Sequence, residues 1–183
     1  IEILTHNLPN EDTAIRIESA AIDLTGIHNL TNEVRGRDTD IQGRMTTSQV
    51  AILYDSKEVK VKVSAILIRI NKLYKYDMTP TELYEVTRGV WKMSKQRNKA
   101  KYVFAVYKGI VREVYKIKDW HQAGTIKYKT RPKEDISASG RWGFTGDIAK
   151  NIRKGYVDKS VKKYFAKNSR GPFRYVFPKH REG

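Results

Sequence analysis

The sequence predicts an α+β protein whose mainly antiparallel sheet closes into a small β-barrel carrying short helices. Short apolar segments with period-two alternation follow one another from residue 58 onward, and several are separated by tight turns. A helix-start signature near residue 80 interrupts these segments. The 183 residues are 39% hydrophobic and 31% charged, which excludes a disordered chain and suffices for one core. Strands joined by hairpins favour the antiparallel arrangement.

The N-terminal third carries the weakest signals. Residues 1–57 are polar and contain one aromatic ring, that of Tyr54. Residues 14–24 fit a helix or a strand equally well, and the Gly-, Asn- and Asp-rich stretch between residues 26 and 43 is typical of a loop. We therefore interpret residues 1–57 as an N-terminal extension of unassigned role and residues 58–183 as the barrel. The alternative is one compact unit that includes both.

The middle of the chain carries sharper signals. Valine alternating with lysine, then isoleucine at every second position, predicts one long bent strand or two strands over residues 58–72. A threonine N-cap at residue 79 is followed by proline and, three residues after the cap, by glutamate. This capping box predicts a helix over about residues 80–88, and Gly89 is suited to end it.

Two alternating segments, residues 102–107 and 110–117, are separated by Lys108-Gly109, which predicts a tight hairpin. The remaining apolar segments are short and less regular. They predict strands at residues 125–129, 141–145 and 173–177, and short helices at residues 147–154 and 160–167.

The charge is concentrated in one half of the chain. Lys+Arg number 36 and Asp+Glu 20, giving a net charge of +16. Residues 1–90 hold 11 basic and 13 acidic side chains, whereas residues 91–183 hold 25 basic and 7 acidic ones together with 15 of the 19 aromatic residues. A polyanionic partner is therefore expected, with nucleic acid ahead of an anionic membrane.

Several other classes of function are disfavoured by composition. The absence of cysteine excludes disulfide scaffolds, thiolate zinc sites and thiol catalysis. The four histidines are scattered along the sequence, so we expect no metal site and no cofactor. No apolar run approaches the roughly 20 residues of a membrane span, and no signal-peptide pattern is present, so we expect a cytoplasmic protein.

Four segments within residues 83–177 resemble, in the same order, the PUA-like superfamily of EVE, YTH and ASCH-type domains. They are Leu83–Trp91, Ala105–Tyr115, Arg141–Gly146 and Pro172–Val176. The resemblance implies a small barrel with an aromatic pocket that accepts an extruded and often modified base. It also favours DNA over RNA, in a restriction or defence system.

The candidate site residues are cations that would neutralise phosphates and rings on which a base would stack. The alternative interpretation is structural: the cations form a solvated basic face, and the tryptophans belong to the core. The candidate phosphate-binding residues are Arg88, Lys92, Lys95, Arg97, Lys99, Lys127, Lys129, Arg131, Arg141, Arg153, Lys154, Lys162 and Lys163. The candidate stacking residues are Trp91, Trp120 and Trp142.

Two other functions stay open. Glu58 and Lys60, with Asp55 or Asp40 upstream, resemble the Asp…Glu-x-Lys centre of restriction-type nucleases. In that case the carboxylates would hold Mg²⁺ and the lysine would orient water. The third function is structural RNA binding, for which the basic surface suffices and no aromatic pocket is needed.

Overall fold

The computed structural model of the chain describes residues 5–25, 46–165 and 171–178, and it shows an α+β fold. The chain divides into two compact units, residues 1–50 and 51–183. Residues 14–24, whose sequence fits a helix or a strand equally well, are helical and lie within α1, Glu11–Thr25. The side chain of Asn10 accepts a hydrogen bond from the backbone N–H of Thr13 at 2.9 Å, as an N-cap residue does.

A second helix, α2, spans Thr47–Asp55. Thr46 begins it with reciprocal bonds: its hydroxyl accepts from the N–H of Gln49 at 3.2 Å, and its own N–H donates to the side chain of Gln49 at 2.7 Å. The loop predicted between residues 26 and 43 lies outside the described residues.

Five strands form one sheet with the order β4-β3-β2-β1-β5. The pairing β1–β2 is parallel, and the other three pairings are antiparallel, so the prediction of a mainly antiparallel sheet is confirmed. The strands are β1 Ala65–Arg69, β2 Tyr102–Tyr107, β3 Ile110–Gln122, β4 Trp142–Ile148 and β5 Phe173–Val176.

The sheet is open, with β4 and β5 as its edges, so the predicted closure into a barrel is not confirmed. The prediction assumed that consecutive strands are joined by hairpins. Instead, β1 reaches β2 through helix α3, Pro80–Arg88, and the two strands run parallel. A parallel pair needs such a crossover connection.

Both faces of β1 and β2 are buried. Ile66 and Ile68 pack on one face with Val86 of α3, whereas Leu67 and Phe104 pack on the other. Strands covered on both sides are continuous apolar runs rather than alternating ones. Of the predicted strand 58–72, only residues 65–69 form β1, and this is the part whose sequence is continuously apolar up to Arg69. Glu58 makes an isolated bridge to Ser160.

Helix α3 confirms the predicted capping box. The hydroxyl of Thr79 accepts from the N–H of Glu82 at 3.3 Å, and the carboxylate of Glu82 accepts from the N–H of Thr79 at 2.7 Å. Gly89 follows with a φ of 52°, and its N–H donates to the carbonyl of Glu85. A short 3-10 helix, Lys95–Lys99, comes next.

The β2–β3 hairpin is also confirmed. Lys108 and Gly109 have φ values of 49° and 81°, and left-handed residues at both central positions are typical of the tightest hairpin turns. The strands predicted at 141–145 and 173–177 are present as β4 and β5.

Three later predictions are wrong or altered. Residues 125–129 form no strand, because the N–H groups of Lys129 and Thr130 bond to Glu85. The helix predicted at 147–154 is replaced by the end of β4 and a short 3-10 turn. A 3-10 turn also replaces the described part of the helix at 160–167, of which residues 166 and 167 lie outside the described residues. The remaining short helices are α4 Lys133–Ile136 and the 3-10 turns Arg153–Gly155 and Lys162–Tyr164.

Candidate nucleic-acid interface

A cavity of about 890 Å³ lies at the carboxyl end of β1. It brings together three predicted site residues, the ring of Trp91 and the cations Lys92 and Arg141. No acidic residue is among its described lining residues, which include the further cations Arg69 and Lys72. We call it the Trp91 pocket. Its lining comprises Arg69, Ile70, Asn71, Lys72, Leu73, Trp91, Lys92, Arg141, Pro172 and Phe173.

Trp91 is held by contacts on its backbone and on its ring edge. Its N–H donates to the carbonyl of Trp142 at 2.8 Å, and its carbonyl accepts from the N–H of Trp142 at 2.9 Å. The indole Nε1 donates to the carbonyl of Thr87 at 2.9 Å. Gly89 lies so close to the indole that a Cβ there would collide with it. The ring therefore has a defined orientation at the pocket wall.

The other two candidate stacking rings are half-buried, as Trp91 is, and each contacts a neighbouring side chain. The guanidinium of Arg97 lies 3.5 Å from the ring centroid of Trp142, and Arg97 is only 7% exposed. Trp120 packs edge-on against Phe144, with ring centroids 5.8 Å apart. Its Nε1 is buried and has no hydrogen-bond partner among the described residues. Trp120 also lines a separate groove of about 710 Å³ that includes Lys101, so the three tryptophans do not form one site.

Arg88 is 8% exposed and is bound to the segment between β3 and β4. It donates to the carbonyl of Lys127 at 2.5 Å, and its guanidinium lies 4.1 Å from the ring centroid of Tyr128. Arg153 makes two hydrogen bonds to the carboxylate of Glu113, at 2.8 and 2.7 Å. The bond to Glu113 raises the pKa of Arg153. Arg88 and Arg153 therefore have structural contacts already.

The remaining candidate cations are spread over the surface. Two have acidic neighbours: Lys163 lies 3.5 Å from Glu58, and Arg131 lies 3.8 Å from Asp135. The others show no ion pair among the described residues. These exposed side chains are Lys95 and Lys99 after α3, Lys127 and Lys129 before α4, and Lys154 and Lys162 after β4.

The described nuclease candidates lie at the end of α2 and in the segment that follows it. Glu58 pairs with Lys163, and Asp55 lies at the end of α2. Within residues 5–25, 46–165 and 171–178, no group of three or more His, Cys, Asp or Glu side chains is placed to hold a metal ion. Asp40 lies outside the described residues.

Sequence reasoning missed several residues of the Trp91 pocket, notably Arg69, Asn71 and Phe173. Arg69 ends β1, and Phe173 begins β5, which pairs with β1. The sequence signal that could have identified Arg69 is its position as the one basic residue at the end of an otherwise apolar strand. Burial, followed by the nearby charge of Arg174, lowers the pKa of Arg69. A bound anion would offset both effects.

No helix in the described part of the chain is long and apolar enough to cross a membrane. Comparison of the chain with protein-family models, with curated proteins and with solved structures finds no match.

Proposed function

We propose that this chain binds nucleic acid, with DNA favoured over RNA, and that the Trp91 pocket accepts an extruded base. The observation that carries the proposal is the composition of this pocket. Trp91 and Lys92, which follow α3, meet Arg141, which precedes β4, in one cavity whose described charged residues are all cations. A stacking ring surrounded by cations suits a nucleotide, since the ring takes the base and the cations take the phosphates.

The pocket has further groups suited to a base. Phe173 supplies a second ring to the lining. The side-chain oxygen of Asn71 accepts from the N–H of Lys108 at 3.0 Å, which leaves the amide NH₂ as a donor for a base edge. A volume of about 890 Å³ lies within the range of small-ligand pockets and leaves room for a modified base.

A relationship to the PUA-like superfamily, with a restriction or defence role, is part of the same proposal. It rests on the resemblance of the four segments within residues 83–177. Closure of the sheet is not needed for the proposed mechanism, because the pocket forms at the end of β1.

The test is binding to single- and double-stranded DNA and RNA, with and without modified bases, at two salt concentrations. A preference that survives high salt is expected, because base readout is less salt-dependent than phosphate contact. Trp91→Ala should weaken that preferred complex by about 1–3 kcal/mol, the value of one stacked base. Lys92→Ala/Arg141→Ala should lower the salt slope on duplex by about 1.8, or 0.9 for each phosphate contact.

Tyr54→Ala is the matched control, because this ring is 69% exposed and lies outside the pocket lining. Its affinity should equal that of the wild type. An equal loss in Tyr54→Ala and Trp91→Ala would contradict base stacking in the pocket. A wild-type protein that binds none of the nucleic acids would overturn the whole proposal.

A further inference from the structure

Residues 127–131, between β3 and α4, present cations on a backbone without regular secondary structure. Lys127 and Lys129 are exposed, and neither has an ion pair among the described residues. Arg131 follows in the same segment, 3.8 Å from Asp135. We call residues 127–131 the 127–131 strip. An irregular segment with exposed side chains would normally be mobile, so what fixes its backbone matters.

The first anchor of the 127–131 strip is Glu85 of α3, which is only 3% exposed. Its carboxylate accepts from the N–H of Lys129 at 2.6 Å and from the N–H of Thr130 at 2.7 Å. It also accepts from the hydroxyl of Thr130 at 2.6 Å. One buried carboxylate thus bonds to two consecutive backbone amides and fixes the backbone there.

The second anchor is Arg88, one helical turn after Glu85. It donates to the carbonyl of Lys127 and stacks on Tyr128. The hydroxyl of Tyr128 in turn donates to the carbonyl of Gly89. Gly143 of β4 leaves room for this arrangement, since a Cβ there would come within 2.9 Å of the Tyr128 hydroxyl oxygen. Every residue from 127 to 130 therefore makes a bond or a ring contact with the end of α3.

A buried carboxylate is costly unless its lone pairs are satisfied. Burial acts to raise the pKa of Glu85, but the hydrogen bonds from Thr130 and Lys129 and the charge of Arg88 outweigh it and hold the pKa below its usual value. An apolar residue would fill this position of α3 at lower cost. The hydrogen bonds that offset the burial of the Glu85 carboxylate all come from the 127–131 strip, and the favourable charge comes from Arg88.

We propose that Glu85 and Arg88 are positioning residues that hold the 127–131 strip as a fixed phosphate-binding surface, with Lys127 and Lys129 as its contacting side chains. The proposal rests on the proposed nucleic-acid function and adds a second place of contact beside the Trp91 pocket. A fixed backbone lowers the conformational entropy lost when lysines bind phosphate, so the strip gains affinity from its anchors.

The first experiment compares Glu85→Ala with Glu134→Ala on duplex DNA. Both variants remove one negative charge, and Glu134 is an exposed residue of α4 close to the strip. Net charge alone predicts tighter binding for both. The proposal predicts weaker binding and a smaller salt slope for Glu85→Ala only. Equal or tighter binding by a folded Glu85→Ala overturns it.

The second experiment uses Lys127→Ala/Lys129→Ala. The salt slope on duplex should fall by about 1.8, and Glu85→Ala added to this double variant should cause little further loss. A wild-type slope in the double variant, with a reduced slope in Lys92→Ala/Arg141→Ala, overturns the strip while leaving the proposed function standing. Absence of binding by the wild type overturns both.

Amide hydrogen exchange measures, without any ligand, how strongly Glu85 holds the backbone of the 127–131 strip. The amides of Lys129 and Thr130 should exchange more slowly than that of Glu134 in the wild type and should lose this protection in Glu85→Ala. Thr130→Val keeps the backbone bonds and removes only the hydroxyl bond, so it serves if Glu85→Ala does not fold. It should give a partial loss of protection and a partial loss of affinity. Unchanged protection and unchanged affinity in Thr130→Val overturn the anchoring.

Discussion

The guanidinium groups of Arg88, Arg97 and Arg112 lie over aromatic rings, at 4.1 Å from Tyr128, 3.5 Å from Trp142 and 5.3 Å from Tyr74. Most of the candidate lysines are exposed instead. Arginine is planar and weakly hydrated, so it stacks and is buried more readily than lysine. The basic surface therefore consists largely of ammonium groups, which in the proposed function would contact phosphates as point charges without reading sequence.

Replacing the stacked guanidinium of Arg97 tests its structural role. Arg97→Lys should lower the free energy of unfolding by about 1–2 kcal/mol, because an ammonium does not reproduce the planar contact with Trp142. Urea denaturation measures this. The control is Lys95→Arg in the same 3-10 helix, where the side chain is exposed and stability should not change. Equal stabilities of Arg97→Lys and wild type would show that the stack contributes nothing.

Glu85 gives the protein a pH-dependent contribution to stability. Because its folded pKa lies below the unfolded value of about 4.3, the stabilisation is fully present above that pH and is lost as the pH falls through the folded pKa. Glu85→Gln should cost about 2 kcal/mol at pH 7, a value typical of hydrogen bonds to a charged group. The difference between the two proteins should shrink below about pH 4. A difference that stays constant down to pH 3 would contradict ionisation of Glu85 as the cause.

At the scale of elements, α3 connects the central strands to both proposed contact regions. It begins at the Thr79 capping box and ends at Gly89, beside the indole of Trp91. Its buried face carries Val86 toward the core and Glu85 and Arg88 toward the 127–131 strip. Fraying of this helix would disturb Trp91 and the strip together.

The capping box of α3 is separately testable. Thr79→Ala removes the hydroxyl that accepts from the N–H of Glu82 and should lower the free energy of unfolding by about 1 kcal/mol. Thr81→Ala is the control, since this residue lies inside the first turn and is exposed. Thermal or urea unfolding distinguishes the two variants. Because alanine has a higher helix propensity than threonine, Thr81→Ala should lose no stability, and an equal loss in both variants would show that the cap hydroxyl is not the cause.

Elements with a complete local signal could be predicted from sequence. Helix α3 and the Lys108-Gly109 hairpin are specified by neighbouring residues, and both lie where the pattern put them. The parallel pairing of β1 with β2 depends on residues far apart in the sequence. The irregular conformation of residues 125–129 likewise depends on a distant residue, Glu85, which binds the N–H of Lys129. Period-two alternation does not show which neighbour a strand will pair with, so the open sheet could not be predicted.

The candidate site was predictable in part for the same reason. Residue type identified Trp91, Lys92 and Arg141 as candidates, but only the fold brings them into one pocket. Arg97 and Trp142 are candidates by residue type too, but the guanidinium of Arg97 lies over the ring of Trp142 instead of lining the pocket. Asp55, Glu58 and Lys60 have the spacing of a nuclease motif, and that centre stays a prediction; Glu58 lies 3.5 Å from Lys163.

At the scale of the whole molecule, the excess charge of residues 91–183 should dominate binding. Arg16 of α1 is exposed and already paired with Asp12 at 3.0 Å. In the full chain, Arg16→Ala should leave the salt slope on duplex unchanged, whereas Lys92→Ala should lower it by about 0.9. Titrations at several salt concentrations measure both. A smaller slope in Arg16→Ala would place the N-terminal unit in the interface.

Strand β1 lies between β2 and β5, and β5 is the last strand among the described residues. During synthesis, therefore, β1 keeps one open edge until residues 173–176 leave the ribosome. The Trp91 pocket is incomplete until then, because Pro172 and Phe173 supply one of its walls. A nascent chain thus acquires its proposed base-binding site only after residues 172 and 173 have been added, more than 80 residues after Trp91 itself.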